Sequence, residues 1–131
     1  MYEDIIQKVN FRVKMGGEDL AIAIVQDFNT NEILMAAFMN EEALKKTLAT
    51  GSMTYFSTSR KELWTKGETS GNVQNIREVL IDCDGDVLLF KVEQKGAACH
   101  EGYYTCFFRA IKDGKLEVIG EKVFDPKEVY G

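Results

Sequence analysis

The chain has 131 residues, of which 45% are hydrophobic and 28% charged, and a net charge of −5. That length suits one domain spanning 1–131, and the composition excludes disordered and collagen-like classes. A net negative field repels phosphate backbones, so no nucleic-acid partner is expected, while a small phosphorylated ligand stays compatible if a bound cation reverses the local sign.

In chain order, Ala21–Gln26 (AIAIVQ) reads as a short apolar strand, 27–31 (DFNTN) as a turn and 32–38 (EILMAAF) as the return strand of a hairpin. Asn40 is placed to cap a helix over Glu41–Thr50, with Ala43, Leu44, Thr47 and Leu48 at helical spacing for the buried face. Glu41 and Glu42 lie at the end where the helix dipole favours anions, and Gly51 follows the last turn. Met53–Ser57 reads as a strand. The polar stretch 59–72 has two glycines and no clear period, and is expected to be an irregular, functional segment. Strands are expected over 73–81, 87–93 and 103–111, and Lys112-Asp113-Gly114-Lys115 turns the last of these into 116–119. The expectation is an α+β fold, a small and mostly antiparallel β domain with one clear helix.

No apolar run nears the roughly 20 residues of a membrane-spanning helix, and MYEDIIQKVNF at 1–11 mixes charge into its apolar residues unlike a signal peptide. A cytoplasmic protein without a membrane partner is therefore expected. The odd count of three cysteines fits a reducing compartment better than a disulfide framework.

Three constellations could carry chemistry. In Asp82-Cys83-Asp84-Gly85-Asp86 three carboxylates alternate, and an extended chain would send them to one face and Cys83 to the other. Such a cluster repels itself unless a cation sits among it, and oxygen ligands suit Mg²⁺, Ca²⁺ or Mn²⁺. The same residues could equally form a solvated acidic turn. Cys83, Cys99 and Cys106 contain no C-x-x-C pair. Free cysteines are often buried hydrophobes, but Cys99 lies in the small-residue loop Gly96–Gly102, and three protein ligands with an open position is the pattern of a catalytic zinc. His100, the only histidine, could be a fourth ligand, a packed surface group or a base; beside a metal ligand, base or proton shuttle is favoured. In the third constellation Arg60 and Lys66 suit phosphates, Trp64 suits a stacked base, and Ser70 sits among Gly67 and Gly71, where backbone N–H groups approach an anion.

As a set these residues resemble the phosphoribosyl-AMP cyclohydrolase family. The likeness is carried by ILMAAFMNEEALKKTLATG (33–51), SRKELWTKGETSGNVQ (59–74), DCDGD (82–86), VEQKGAACHEG (92–102) and CFF (106–108). The resemblance implies a histidine-biosynthesis hydrolase that opens the adenine ring of N1-(5-phosphoribosyl)-AMP between N1 and C6. It implies zinc on Cys83, Cys99 and Cys106, Mg²⁺ on Asp82, Asp84 and Asp86, and a homodimer with one zinc per subunit shared between chains. Beside that likeness, the chemistry of the residues leaves His100 placed to move a proton, and Arg60, Trp64, Lys66 and Ser70 as the expected substrate contacts. The family's Arg-Ser before the last cysteine is replaced here by Tyr104-Thr105. Two readings of other classes are a non-catalytic zinc-stabilised nucleotide-binding module, whose metal site would be closed by a fourth ligand, and a nucleobase deaminase, whose H-x-E…P-C-x-x-C pattern is missing.

Overall fold

Strands dominate the computed structural model, which describes residues 3–67, 71 and 73–124. In chain order these form α1 (Glu3–Gln7), β1 (Val13–Met15), β2 (Glu18–Asp27), β3 (Ile33–Met39), α2 (Glu41–Thr50), β4 (Thr54–Ser57) and β5 (Glu62–Thr65), followed by β6 (Gln74–Ile81), β7 (Val87–Gln94), β8 (Arg109–Lys112) and β9 (Lys115–Val118). The α+β expectation holds. Helix α2 has the predicted bounds because its signals are local: the Asn40 side chain accepts the Ala43 N–H at 2.8 Å, and the Gly51 N–H closes the last turn on the Thr47 carbonyl. Ala43, Leu44 and Thr47 are buried, as their spacing requires.

The main sheet runs β5-β4-β3-β2-β7-β6, with β1 also on β2. The predicted hairpin β2–β3 is antiparallel, from Ala21 opposite Met39 to Gln26 opposite Ile33. At the centre, however, β2 and β7 are parallel, Ile22 opposite Val87 through Asp27 opposite Val92, so the sheet is mixed. Both strands alternate buried and half-buried residues, and this register puts their apolar sets into one core with Leu34, Met39, Tyr55 and Phe90. The sheet also curls. Ile76 donates to the Gly51 carbonyl at 2.9 Å and Met53 to the Gln74 carbonyl at 3.3 Å, which brings the start of β6 round to the start of β4. Gln74 is fully buried there and satisfied by the Tyr55 hydroxyl at 2.5 Å and by Gln94 at 2.8 Å.

Three local expectations are corrected. The polar segment 59–72 contains a strand, β5, paired antiparallel with β4. The strand expected over 103–111 begins only at Arg109, because the amides and carbonyls of 103–106 bond to loop and sheet partners instead. A second helix, α1, is present; at five residues it carries too little periodicity to read, and Ile6 is its buried residue.

Hairpin β8–β9 stands apart as its own two-stranded sheet, turning at Asp113 and Gly114, both at positive φ. Its apolar side chains are uncovered: Ile111 is 81% exposed and Leu116 65%. Among the described residues, no helix is long and apolar enough to cross a membrane.

Candidate active site

A cavity of about 620 Å³ gathers residues that are scattered in the sequence. Arg60, Trp64, Lys66, His100 and Cys106 all line it, beside Met35–Ala37 of β3. Strand β5 supplies Trp64, whose ring lies 4.9 Å from that of buried Tyr55 and is thereby held in the wall. Arg60 stands exposed at the turn before β5, with one guanidinium nitrogen 3.6 Å from Glu62. Ser70 lies outside the described residues. The loop leaving β5 turns at Gly67, where φ is +91° and a Cβ would come within 2.6 Å of the Val73 side chain, so glycine is required. The wall from β3 was not foreseen as part of a site; its signal was the pair of small residues Ala36 and Ala37, which leave room.

The loop between β7 and β8 carries two of the three cysteines. It folds back on itself: Ala98 donates to the Tyr104 carbonyl at 3.0 Å and Cys99 to the Tyr103 carbonyl at 3.1 Å. It is also fastened to the sheet. Cys106 donates its N–H to the Leu34 carbonyl at 2.7 Å, and the Thr105 hydroxyl bonds the Ile33 carbonyl at 2.7 Å. The Tyr104 hydroxyl donates to the buried Asp27 carboxylate, and burial followed by that bond pushes its pKa up to about 12. Thus Tyr104 and Thr105, where the resemblance led to an expectation of Arg-Ser, act here as fasteners. Cys99 is buried and His100, next to it, is exposed on the cavity.

Cys99 and Cys106 are neighbours. Although Cys106 is exposed as a residue, desolvation of its thiol, then the charge and hydrogen bond of Cys99, push its pKa up to about 12, while Lys66 pulls it down. Two thiols so close resist ionising together without a cation, which is the donor chemistry that suits zinc. Lys66 is buried, and its ammonium donates to the Ala98 carbonyl. Burial lowers the Lys66 pKa, and the Cys106 and Cys99 charges oppose that shift.

The aspartate segment is placed differently from the extended geometry expected of it. Residues 82–86 form the turn between β6 and β7, with Gly85 at φ +74°, so alternation does not send the three carboxylates to one face. Asp82 caps the turn by accepting the Asp86 and Val87 N–H groups at 3.1 and 3.2 Å. Desolvation raises the Asp82 pKa, but the hydrogen bonds from Val87, Asp86 and Gly85 outweigh it and leave the carboxyl ionising below its ordinary value. Asp86 turns inward and pairs with Arg12 at 2.6 Å, whereas Asp84 and Cys83 face solvent. Among the described residues of this one chain, no three His, Cys, Asp or Glu side chains stand together as a metal-holding group.

Reactive side chains converging on a cavity, rather than on a flat face, make this a small α+β enzyme. The sequence profile of phosphoribosyl-AMP cyclohydrolase matches residues 35–108. A phosphoribosyl-AMP cyclohydrolase of Methanothermobacter thermautotrophicus is 55% identical over 130 residues, covering 98% of this chain and 94% of that protein. Those of Pelotomaculum thermopropionicum and Methanocaldococcus jannaschii are each 61% identical over 120 residues, covering 91% of this chain and 93% and 94% of theirs. The chain belongs to the phosphoribosyl-AMP cyclohydrolase family, hydrolases that act on a cyclic amidine.

Proposed function

We propose that this chain hydrolyses N1-(5-phosphoribosyl)-AMP in histidine biosynthesis, adding water at C6 of the adenine ring and breaking the C6–N1 bond. The observation that carries the reading is the cavity itself, which gathers Arg60, Trp64, His100 and Cys106, the last with Cys99 as its neighbour. Trp64 offers a face for the adenine ring. Arg60, exposed at the rim, is free to turn from Glu62 to a substrate phosphate with a bidentate grip. As the C6–O bond forms, a proton leaves the water. As C6–N1 breaks, a proton goes to N1. His100, exposed on the cavity with a ring that can both accept and donate a proton, is the cavity group suited to both transfers.

Zinc would be held by Cys99 and Cys106 together with Cys83; Mg²⁺ on Asp82, Asp84 and Asp86 would need Asp86 to turn from Arg12 and Asp82 to share its turn-capping oxygen. A zinc ion so held supplies Lewis acidity and lowers the pKa of water. Cys83 lies on a turn apart from the thiol pair, so completion by the Cys83 of a second copy accounts for all three ligands. A homodimer also accounts for the uncovered apolar side chains of hairpin β8–β9, a pattern typical of surfaces that another chain covers.

The test is direct. Purified protein is mixed with phosphoribosyl-AMP and the ultraviolet spectrum followed for ring opening, with and without a zinc chelator. Turnover that chelation stops and zinc restores is the expected result. A spectrum that never changes removes the activity, and turnover indifferent to the chelator removes the zinc.

A further inference from the structure

Lys66 is a buried cation that the proposed reaction leaves without a role. It is 6% exposed, and among the described residues no carboxylate pairs with it. A buried ammonium is costly unless its donors and its charge are both met. Its donors are met in part by the Ala98 carbonyl, one residue before Cys99. Its charge lies 5.9 Å from the centre of the Trp64 ring, on the cavity wall that Lys66 shares with Ala98 and Cys106. The sequence reading gave Lys66 to a substrate phosphate, but its ammonium is already engaged on the loop that carries Cys99.

Three thiolates around a divalent ion leave one net negative charge, and a nearby cation offsets it. We propose that Lys66 is a positioning residue for the metal centre: its ammonium pins the Ala98 carbonyl, fixing Cys99 against Cys106, and supplies the counter-charge to the thiolates. This rests on the zinc reading above. Lys66 touches no reacting atom in this role, so its removal acts first on metal retention and only through it on turnover.

Lys66→Met removes both the anchor and the charge, and Lys66→Gln keeps a donor without the charge. Each is made in the full chain, checked for folding by metal-free thermal unfolding, and titrated with zinc against a chromophoric chelator. Lys66→Met is expected to weaken zinc roughly 10–100-fold, the usual cost of losing a group that orients a ligand, with Lys66→Gln in between. Cobalt-substituted protein should show a shifted or weakened thiolate-to-cobalt absorption in the same order. A folded Lys66→Met with wild-type zinc affinity and cobalt spectrum overturns the role. So does a raised KM at unchanged affinity, which would return Lys66 to the substrate phosphate. If neither variant folds, Lys66 belongs to the core and the proposal fails. Wild-type protein that gives no thiolate-to-cobalt absorption would instead overturn the zinc reading, and this inference with it.

Discussion

Cys106 and Cys83 carry the same reactive atom in opposite settings. The loop from Gly96 to Phe108 is tied down at almost every residue that matters: Ala98 to Tyr104, Cys106 to Leu34, Thr105 to Ile33, Tyr104 to Asp27. The turn from Asp82 to Asp86 is braced from within, by Asp82 on its own backbone and by Arg12 on Asp86, yet it presents Cys83 and Asp84 to solvent. In the zinc reading proposed above, one region is a preformed half of the site. The other is, in the same reading, an offered half, braced in backbone, where the Cys83 thiol reaches the neighbouring Asp84 carboxylate at 3.8 Å. Rigid elements hold a constellation more precisely than mobile ones, so in that reading the two halves would meet without rearranging.

The sharpest way to break this comparison is to delete a thiol from either half. Cys99→Ala and Cys83→Ala should each lose zinc and turnover, down to assay background. If the halves meet between chains, unfolding the two variants together and refolding them should return roughly a quarter of wild-type activity, because half the dimers are mixed and each has one intact site of two. With tagged chains proving that mixed dimers formed, no recovery would mean that each chain completes its own site.

The next effect is smaller and confined to the preformed half. His100→Ala should keep zinc at full stoichiometry and lower kcat by roughly 10²–10⁴-fold, the usual worth of a general acid–base group. Loss of zinc instead would make His100 a ligand.

Within the offered half, neighbouring aspartates should separate. Asp86→Asn loses a charged partner of Arg12 at an 8% exposed side chain and should cost about 1–3 kcal/mol in urea unfolding. Asp84→Asn should change stability by less than about 0.5 kcal/mol, yet weaken Mg²⁺ and substrate binding with zinc retained. The reverse ranking in stability would contradict the inward and outward placement of these two carboxylates.

The mildest effect concerns acid. Asp82 ionises below its ordinary value of 3.8, so the folded chain holds fewer protons there than the unfolded one. Its contribution is complete above that ordinary value and fades as pH falls through the lower, folded value. Thermal unfolding from pH 7 to pH 3 should therefore show a smaller acid loss in Asp82→Asn than in wild type. Identical pH profiles would mean that the turn does not depend on this carboxylate.

What could be read in the sequence follows how local each signal is. Helix α2 was legible to the residue because Asn40, its spaced apolar face and Gly51 all act within a few residues. The cysteines, His100, Arg60 and Trp64 were legible as a set of chemical types, and the cavity gathers all but two of the cysteines from that set, with Cys99 lying beside Cys106. The parallel pairing of β2 with β7 was not legible, since no turn or cap encodes a partner so distant in the chain. Strand β5 was hidden because it is only four residues long, half of them polar, with its pairing to β4 decided by the neighbouring strand rather than by its own composition. Tyr103–Phe108 misled in the other direction: an aromatic run favours strand, but its backbone groups are used to fasten the loop. Lys66 was legible as a cation, but its burial and its Ala98 contact are tertiary facts that no local signal carries.

The β2–β7 pairing also sets the order in which the molecule can be made. On the ribosome β2 can zip to β3 as soon as their turn emerges, but its other edge must wait until α2, β4, β5 and β6 have been synthesised and β7 has followed them. Contacts so far apart in the chain are slow to close, and parallel ones slowest. The loop bearing Cys99 and Cys106 comes after β7 and fastens onto β3 and the end of β2, so it docks late. Until β7 emerges β2 presents one open edge, and until the loop docks the Cys99 thiol, buried in the finished fold, is unshielded.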